Sequence, residues 1–179
     1  MLSGCGNSFK CDEKSYAEQA LNILLFKNAN GGDDKHITLK SLGFEVGDIA
    51  LVKFDKDKNE SICKAQILNP HIEVATDKLR QLLKNGKDFT EGLDKEAKER
   101  INAFGALANF DIGAPIVMEE LYQSIKGNRT QQEVLGTPGD MLTLYGIAKI
   151  ATQLSKNGLT YRTYDNGNGD LMIEAQIAK

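Results

Sequence analysis

The sequence is poor in the residues by which several classes of protein are usually recognised. It has no tryptophan, three prolines and two histidines among 179 residues, and its net charge is −3. Its four arginines are dispersed at positions 80, 100, 129 and 162, so no basic patch suited to phosphate groups is visible. We therefore expect no nucleic-acid partner. Every apolar run is also shorter than the roughly 18 residues that a membrane-spanning helix needs.

The residues that commonly carry catalysis or bind metals do not form a recognisable pattern. His36 and His71 lack the spacing to cysteine or carboxylate that is typical of zinc sites, and no Gly-x-Ser-x-Gly turn is present. Residues 55–59 resemble the start of a calcium loop. However, Glu60 replaces the glycine of the sharp turn, and Gln66 replaces the bidentate glutamate. The sequence predicts no metal, no cofactor and no catalytic residue that can be named, and we expect residues 55–59 to be a hairpin turn.

Two further acidic segments are interpreted structurally. Glu119 and Glu120 are adjacent on a predicted helix, where neighbouring side chains point about 100° apart and cannot form a carboxylate pair. We expect both to lie on a solvated face. Residues 165–170 are rich in glycine and asparagine and predict a second hairpin turn.

Hydrophobic periodicity and turn residues predict an α+β fold with an antiparallel sheet of about five strands and helices packed on one face. The predicted strands are His36–Leu42, Ile49–Phe54, Ser61–Leu68, Leu159–Tyr164 and Leu171–Ile177. The predicted helices begin at a capping box at Ser15–Glu18, at Thr76, near Leu93, at Pro115 and at Thr137. The segment Asn128–Gly136 is polar and predicts a loop. The chain length suits one domain over residues 11–179.

The two hairpins indicate an internal repeat. They align without a gap at an offset of about 110 residues, and residues 65–67 and 175–177 are both Ala-Gln-Ile. One interpretation is two related helix-plus-hairpin units, 11–85 and 92–179, that share one sheet. Coincidence between hairpins of similar composition is the alternative, and two small domains joined near residues 85–92 are a third arrangement.

The start of the chain carries a short motif with a specific meaning. Leu2-Ser3-Gly4-Cys5 resembles a bacterial lipobox, the sequence recognised by lipoprotein signal peptidase. The resemblance implies that Cys5 becomes the first mature residue, carries the lipid and anchors the protein to a membrane, with residues 1–10 as lipobox and tether. Gly6 follows the cysteine, whereas aspartate there commonly causes inner-membrane retention. The resemblance therefore favours the periplasmic side of the outer membrane.

The segment before the lipobox is very short. Only Met1 and Leu2 precede Ser3, whereas a signal peptide needs a charged region and an apolar region before the cleavage site. We expect either that the sequence begins inside its signal peptide or that the motif occurs by chance.

The cysteine count links the motif to a disulfide. If Cys5 is lipidated, Cys11 and Cys63 remain, and an exported protein favours their pairing. The predicted bridge would join the first helix to the sheet. Two reduced cysteines are the alternative.

These observations favour a non-enzymatic lipoprotein of the bacterial cell envelope, with its domain in the periplasm and a binding or assembly role. Its expected partners are the membrane, through Cys5, and an envelope protein that could pair with a sheet edge, for which His36–Leu42 is the candidate strand. One alternative is an envelope hydrolase whose acid/base carboxylates are assembled only by the fold. The other is a small cytosolic protein with a chance lipobox.

Overall fold

A computed structural model describes residue 11 and residues 13–26, 37–85, 91–108 and 113–179. The described elements are the helices α1 (Lys14–Phe26), α2 (Pro70–Asn85), α3 (Lys95–Ala108), α4 (Gly113–Lys126), α5 (Gln131–Val134) and α6 (Pro138–Asn157), and the strands β1 (Glu45–Asp55), β2 (Glu60–Leu68), β3 (Leu159–Asp165) and β4 (Leu171–Ile177). This confirms the predicted α+β class.

The four strands form one antiparallel sheet in the order β1-β2-β3-β4. The prediction of about five strands is therefore wrong for the described residues. No strand forms over residues 37–42 of the predicted strand His36–Leu42. Residues 39–43 form turns instead, and His36 lies outside the described residues. Thr38 and Ser41 explain the difference, because each side chain accepts a hydrogen bond from the other's backbone amide, at 3.1 and 2.7 Å. Such local bonds compete with strand pairing.

The sheet has one buried face and one open face. Along β2, Ser61, Cys63, Ala65 and Ile67 are buried, whereas the residues between them are partly or fully exposed. Leu159, Tyr161 and Thr163 continue the same pattern on β3. Because side chains alternate between faces, the helices cover one face of the sheet, as the sequence predicts.

The core lies between this face and the helix layer. Helix α1 contributes Ala17, Ala20, Leu21 and Leu25 to it, all four of which are buried. The other helices contribute the largest fully buried side chains of the layer. Examples are Phe104, Met118, Leu121, Leu144, Ile147 and Leu154. The buried cluster includes residues from both halves of the chain.

Helix starts follow the prediction at Thr137 and depart from it at Ser15, Thr76 and Pro115. Pro115 is the third residue of α4 rather than the first. Thr137 caps α6, and Asp140 completes a capping box. Ser15, by contrast, lies inside α1, which begins at Lys14, and its hydroxyl donates to Glu13. Thr76 lies inside α2, where its hydroxyl donates to the carbonyl of Ile72. A serine or threonine within a helix can bond to its preceding turn, so the residue type alone did not locate these starts.

Helix α2 begins directly after β2 because Asn69 caps it. The Asn69 side-chain oxygen accepts hydrogen bonds from the amides of His71 and Ile72, at 3.0 and 3.1 Å. Its side-chain nitrogen donates to the carbonyl of Leu42 at 3.1 Å. Pro70 fits the first helical position, where no amide hydrogen is needed. One buried side chain thus joins the strand end, the helix start and the turns at 39–43.

The two predicted hairpins are present and adjacent in the sheet. The β1–β2 hairpin follows α1 along the chain, and the β3–β4 hairpin follows α6. The bounds of β4 are the predicted ones, and the other three strands differ by one to four residues at an end. A common origin of the two units stays a prediction.

We predict that Asn69→Ala lowers the free energy of unfolding by about 2–3 kcal/mol, because it removes a helix cap and leaves a buried carbonyl without its donor. Asn69→Ser retains a capping oxygen, so its free energy of unfolding should lie between those of the wild type and Asn69→Ala. Urea unfolding followed by circular dichroism measures both. Equal stability of wild type and Asn69→Ala would contradict the capping role.

Candidate functional site: the disulfide-bonded end and the open sheet face

Cys11 and Cys63 lie at disulfide distance and are joined, with their Cα atoms 5.7 Å apart. This is consistent with the predicted bond. Cys63 lies on the helix-covered face of β2, directly opposite Tyr161 of β3. The Tyr161 hydroxyl also donates to the carbonyl of Cys11 at 3.3 Å. The predicted lipid attachment residue, Cys5, lies outside the described residues.

The position of Cys11 limits how far the domain can stand from a lipid on Cys5. The two cysteines are six positions apart in the sequence (11 − 5 = 6). A fully extended chain spans at most about 3.6 Å per residue, so their Cα atoms are at most about 22 Å apart. A lipid on Cys5 would therefore hold the disulfide-bonded end of the domain close to the membrane surface.

The open face of the sheet carries a network of charged side chains. Arg162 of β3 contacts Glu60 of β2 at 2.9 Å and Glu174 of β4 at 3.3 Å. Its guanidinium carbon lies 4.4 Å from the centre of the Tyr164 ring. The Tyr164 hydroxyl donates to Glu174 at 2.9 Å. These four side chains link three strands across the face that the helices leave open.

The network changes the acidity of its members. The hydrogen bond to Glu60 is the main reason that the pKa of Arg162 is raised, and Glu174 adds to it. The hydrogen bond that Tyr164 donates to Glu174 raises the pKa of the phenol above its usual value. A depression of about 260 Å³ lies beside the network. Its lining includes Ile62, Thr160 and Gln176.

Sequence reasoning missed this network, although a signal for part of it was present. A turn at residues 165–170 between β3 and β4 sets a register in which Arg162 faces Glu174. Opposite charges in facing positions are a stabilising cross-strand pair. The contribution of Glu60 could not be found in this way, because β2 and β3 are far apart in sequence.

A second charged pair is buried between α3 and α4. Arg100 donates two hydrogen bonds to Glu119, at 2.9 and 2.8 Å, and both side chains are almost fully buried. The expectation that Glu119 lies on a solvated face is therefore wrong, because tertiary packing brings an arginine to it. Glu120 is partly exposed and bonds to Lys78.

Tyr122 completes this buried cluster. Arg100 lies over the Tyr122 ring, 4.6 Å from its centre. Burial raises the pKa of the Tyr122 phenol, and the hydrogen bonds that Arg100 donates to Glu119 raise the pKa of Arg100. Breaking a buried pair by removing one partner leaves an uncompensated charge, which makes this cluster part of the structure that holds α3 on α4.

A cleft of about 430 Å³ lies between α2 and α6. Its lining includes two acidic residues one helical turn apart, Glu73 and Asp77, together with Arg80 and Lys156. Asp77 is already paired with Arg80 at 2.6 Å. The cleft shows carboxylates near cations, which is an ordinary arrangement on a helix surface.

The remaining residues singled out in the sequence have structural positions. His71 is in the first turn of α2, and its ring approaches Gly43 so closely that a Cβ there would lie 2.7 Å from it. Residues 56–59 and 166–170 connect strands, as predicted for the two turns, and Asp55 and Asp165 accept hydrogen bonds from the turn amides. In the described ranges, no group of three or more His, Cys, Asp or Glu side chains is arranged to hold a metal ion.

Comparison with known proteins adds no relative. The chain matches no protein-family profile, no curated protein and no solved structure. Within the part of the chain that the structure describes, none of the helices is both long enough and apolar enough to cross a bilayer.

We predict that Cys11→Ala lowers the free energy of unfolding under non-reducing conditions by about 4 kcal/mol. The bond closes a loop with a sequence separation of 52, and the unfolded chain gains that entropy when the bond is lost. Cys11→Ala/Cys63→Ala should be at least as destabilised, whereas Cys5→Ser should unfold like the wild type. Chemical denaturation measures all three, and a loss below 1 kcal/mol for Cys11→Ala would contradict the prediction.

We also predict that Tyr164 loses its proton at a higher pH than an ordinary tyrosine, whose pKa is about 10. The raised pKa means that the contact stabilises the fold at neutral pH and is lost as the pH rises through the folded-state pKa. Glu174→Gln should move the titration of Tyr164 to lower pH, and the distant Glu120→Gln should not. NMR of ¹³C-labelled tyrosine rings resolves the titration, and an unchanged midpoint in Glu174→Gln would argue against the assigned cause.

Proposed function

We propose that this protein is a lipoprotein of the bacterial cell envelope, anchored through Cys5, whose domain binds or supports another envelope component without catalysing a reaction. The observation that carries the proposal is the disulfide bond between Cys11 and Cys63. Disulfides form and persist in oxidising compartments such as the bacterial periplasm and are rare in the cytosol. The pairing also leaves Cys5, the cysteine of the lipobox, as the single cysteine outside the bond.

The domain geometry supports a membrane-proximal role. The length of a fully extended chain keeps Cys11 within about 22 Å of Cys5. More than one acyl chain on a cysteine gives durable attachment, because each buried methylene contributes about 0.8 kcal/mol. A partner would therefore meet this domain close to the bilayer.

The open sheet face is the surface we propose for that partner. Three strands present Arg162, Glu60, Glu174 and Tyr164 there, next to the depression of about 260 Å³. Arginine and tyrosine are enriched where proteins recognise one another, since both combine a flat contact surface with hydrogen-bond donors. Periplasmic localisation on the outer-membrane side rests on Gly6 after the lipobox.

The hydrolase alternative requires carboxylates that converge on a substrate position. In the α2–α6 cleft, Asp77 is engaged by Arg80, and on the open face Glu60 and Glu174 both bond to Arg162. Carboxylate oxygens that already bond to an arginine are less available to contact a substrate. These contacts support a binding role over hydrolysis.

The proposal is tested by expressing the protein from its own upstream DNA and measuring the intact mass and the N-terminal peptide without reductant. We expect a chain that begins at Cys5, carries a diacylglyceryl group and fatty acid, and lacks two protons at Cys11 and Cys63. Cys5→Ser is the matched control and should remain unlipidated. An unmodified start at Met1 with three free thiols would overturn the anchor and the compartment together, and would favour the cytosolic alternative.

The same strain tests the binding role. Crosslinking in intact cells followed by capture of the protein should recover an envelope protein, and Arg162→Glu should reduce its yield. Lys84→Glu, on the exposed end of α2, is a matched charge change away from the open face. Recovery of no envelope protein above background would contradict the binding role while leaving the lipid result unaffected.

A further inference from the structure

We propose that two copies of this chain associate through β1, the two strands running antiparallel about a two-fold axis at Ala50. This pairing would join two four-stranded sheets into one of eight strands. It concerns the folded domain alone and does not depend on the lipid at Cys5 or on the partner proposed above.

Strand β1 is an edge strand with exposed apolar side chains. It pairs with β2 on one side, and in the described part of the chain no strand pairs with its other side. Leu51, Val52 and Phe54 are 57%, 62% and 43% exposed. An edge of this kind is a template for another strand, and natural proteins usually shorten, charge or cover it.

The direction of these side chains shows where the helix layer ends. Leu51 faces Cys63 and Phe54 faces Ser61, and both facing residues are buried beneath the helices. Directly opposite residues in a sheet point to the same face. Leu51 and Phe54 therefore point to the helix side of the sheet but lie beyond the cover of the helices, which leaves room for a second copy.

The two irregularities of β1 lie on either side of Ala50. The register with β2 shifts once between Val46 and Ile49 and again between Leu51 and Lys53. Each shift is one extra residue on β1, so the first bulge contains Gly47 and Asp48 and the second contains Val52. Two antiparallel copies centred on Ala50 would place bulge beside bulge and the regular segment 49–51 beside itself.

The same centre matches apolar side chains on one face. Ile49 would lie opposite Leu51 of the second copy, and Val46 opposite Phe54 of the second copy. In the register with β2, the side chains of all four residues point to the helix-covered face of the sheet. A shift of the axis by one residue to Leu51 would instead place Ile49 opposite Lys53 and Asp48 opposite Phe54. The packing therefore favours an axis at Ala50 over one at Leu51.

Charge selects the antiparallel direction. The first half of β1 carries Glu45 and Asp48 and no cation. Lys53 lies in its second half, and the following turn adds two more lysines, so residues 52–58 have a net charge of +1 (three lysines, two aspartates). Antiparallel copies bring unlike halves together, whereas parallel copies would align like charges. In the register about Ala50, Asp48 faces Val52 of the second copy and lies one position from its Lys53. Asp55 facing Glu45 is unfavourable, but Lys56 is adjacent to it.

The opposite edge of the sheet is less suited to this pairing. Helix α1 packs against β4, and the exposed large apolar residue on that strand is Met172. Two-fold pairing through β1 alone also stops at two copies, because each copy uses its one apolar edge. The expected product is a dimer.

The test uses the full chain with Cys5→Ser, so that the lipid plays no part, and measures mass by sedimentation equilibrium. We expect a concentration-dependent species of twice the 19.6 kDa chain mass. Asp48→Lys and Lys53→Asp, each alone, place like charges together twice and should weaken association at least tenfold. Mixing the two variants restores opposite charges at both contacts and should restore the dimer.

Each outcome of this experiment decides the proposal. A wild-type chain that stays monomeric, or single variants that associate like the wild type, would overturn the use of β1. Single variants that are folded and weakened but not rescued by mixing would overturn the register. As an independent check, Ala50→Cys should form an interchain disulfide on mild oxidation because residue 50 faces itself, and Gln176→Cys on β4 should not.

Discussion

The bond between Cys11 and Cys63 is the constraint on which the arrangement of the domain depends. Cys63 lies on a central strand and is fully buried, so the residue that precedes α1 is held beneath the helix layer. Tyr161, opposite Cys63, adds a hydrogen bond to the same point. This fixes where α1 lies on the sheet and, if Cys5 is lipidated, which end of the domain meets the membrane.

The networks around Arg100 and Arg162 differ in burial, and this difference decides whether each one holds helices together or presents charge to the outside. Arg100 and Glu119 are removed from water, where an ion pair is retained only if its geometry repays the desolvation. Arg162 is partly exposed, and Glu174 remains accessible on the open face, whereas Glu60 is mostly covered. The first cluster therefore fastens two helices together, whereas the second presents charge and aromatic surface to the outside.

The predictions from sequence were best where local chemistry decides the structure. Thr137 with Asp140 caps a helix as expected, and Leu171–Ile177 is a strand, because a capping box and a glycine-rich turn act over a few residues. They failed at residues 37–42, where threonine and serine formed local bonds instead of a strand, and at Thr76, which lies inside α2. Of the open-face network, only the pair Arg162 and Glu174 could be derived from hairpin register.

The sequence by itself determined the α+β class and the two hairpins, since these follow from periodicity and turn residues. It indicated Cys63 as the partner of Cys11 only on the condition that Cys5 carries a lipid. The tertiary structure alone decided that Arg100 reaches Glu119, that Glu60 joins Arg162, and that β1 lies at an edge with its apolar side chains uncovered. The physical reason is that local backbone preferences act between neighbours in the chain. Strand order and helix packing bring together residues that are far apart in it.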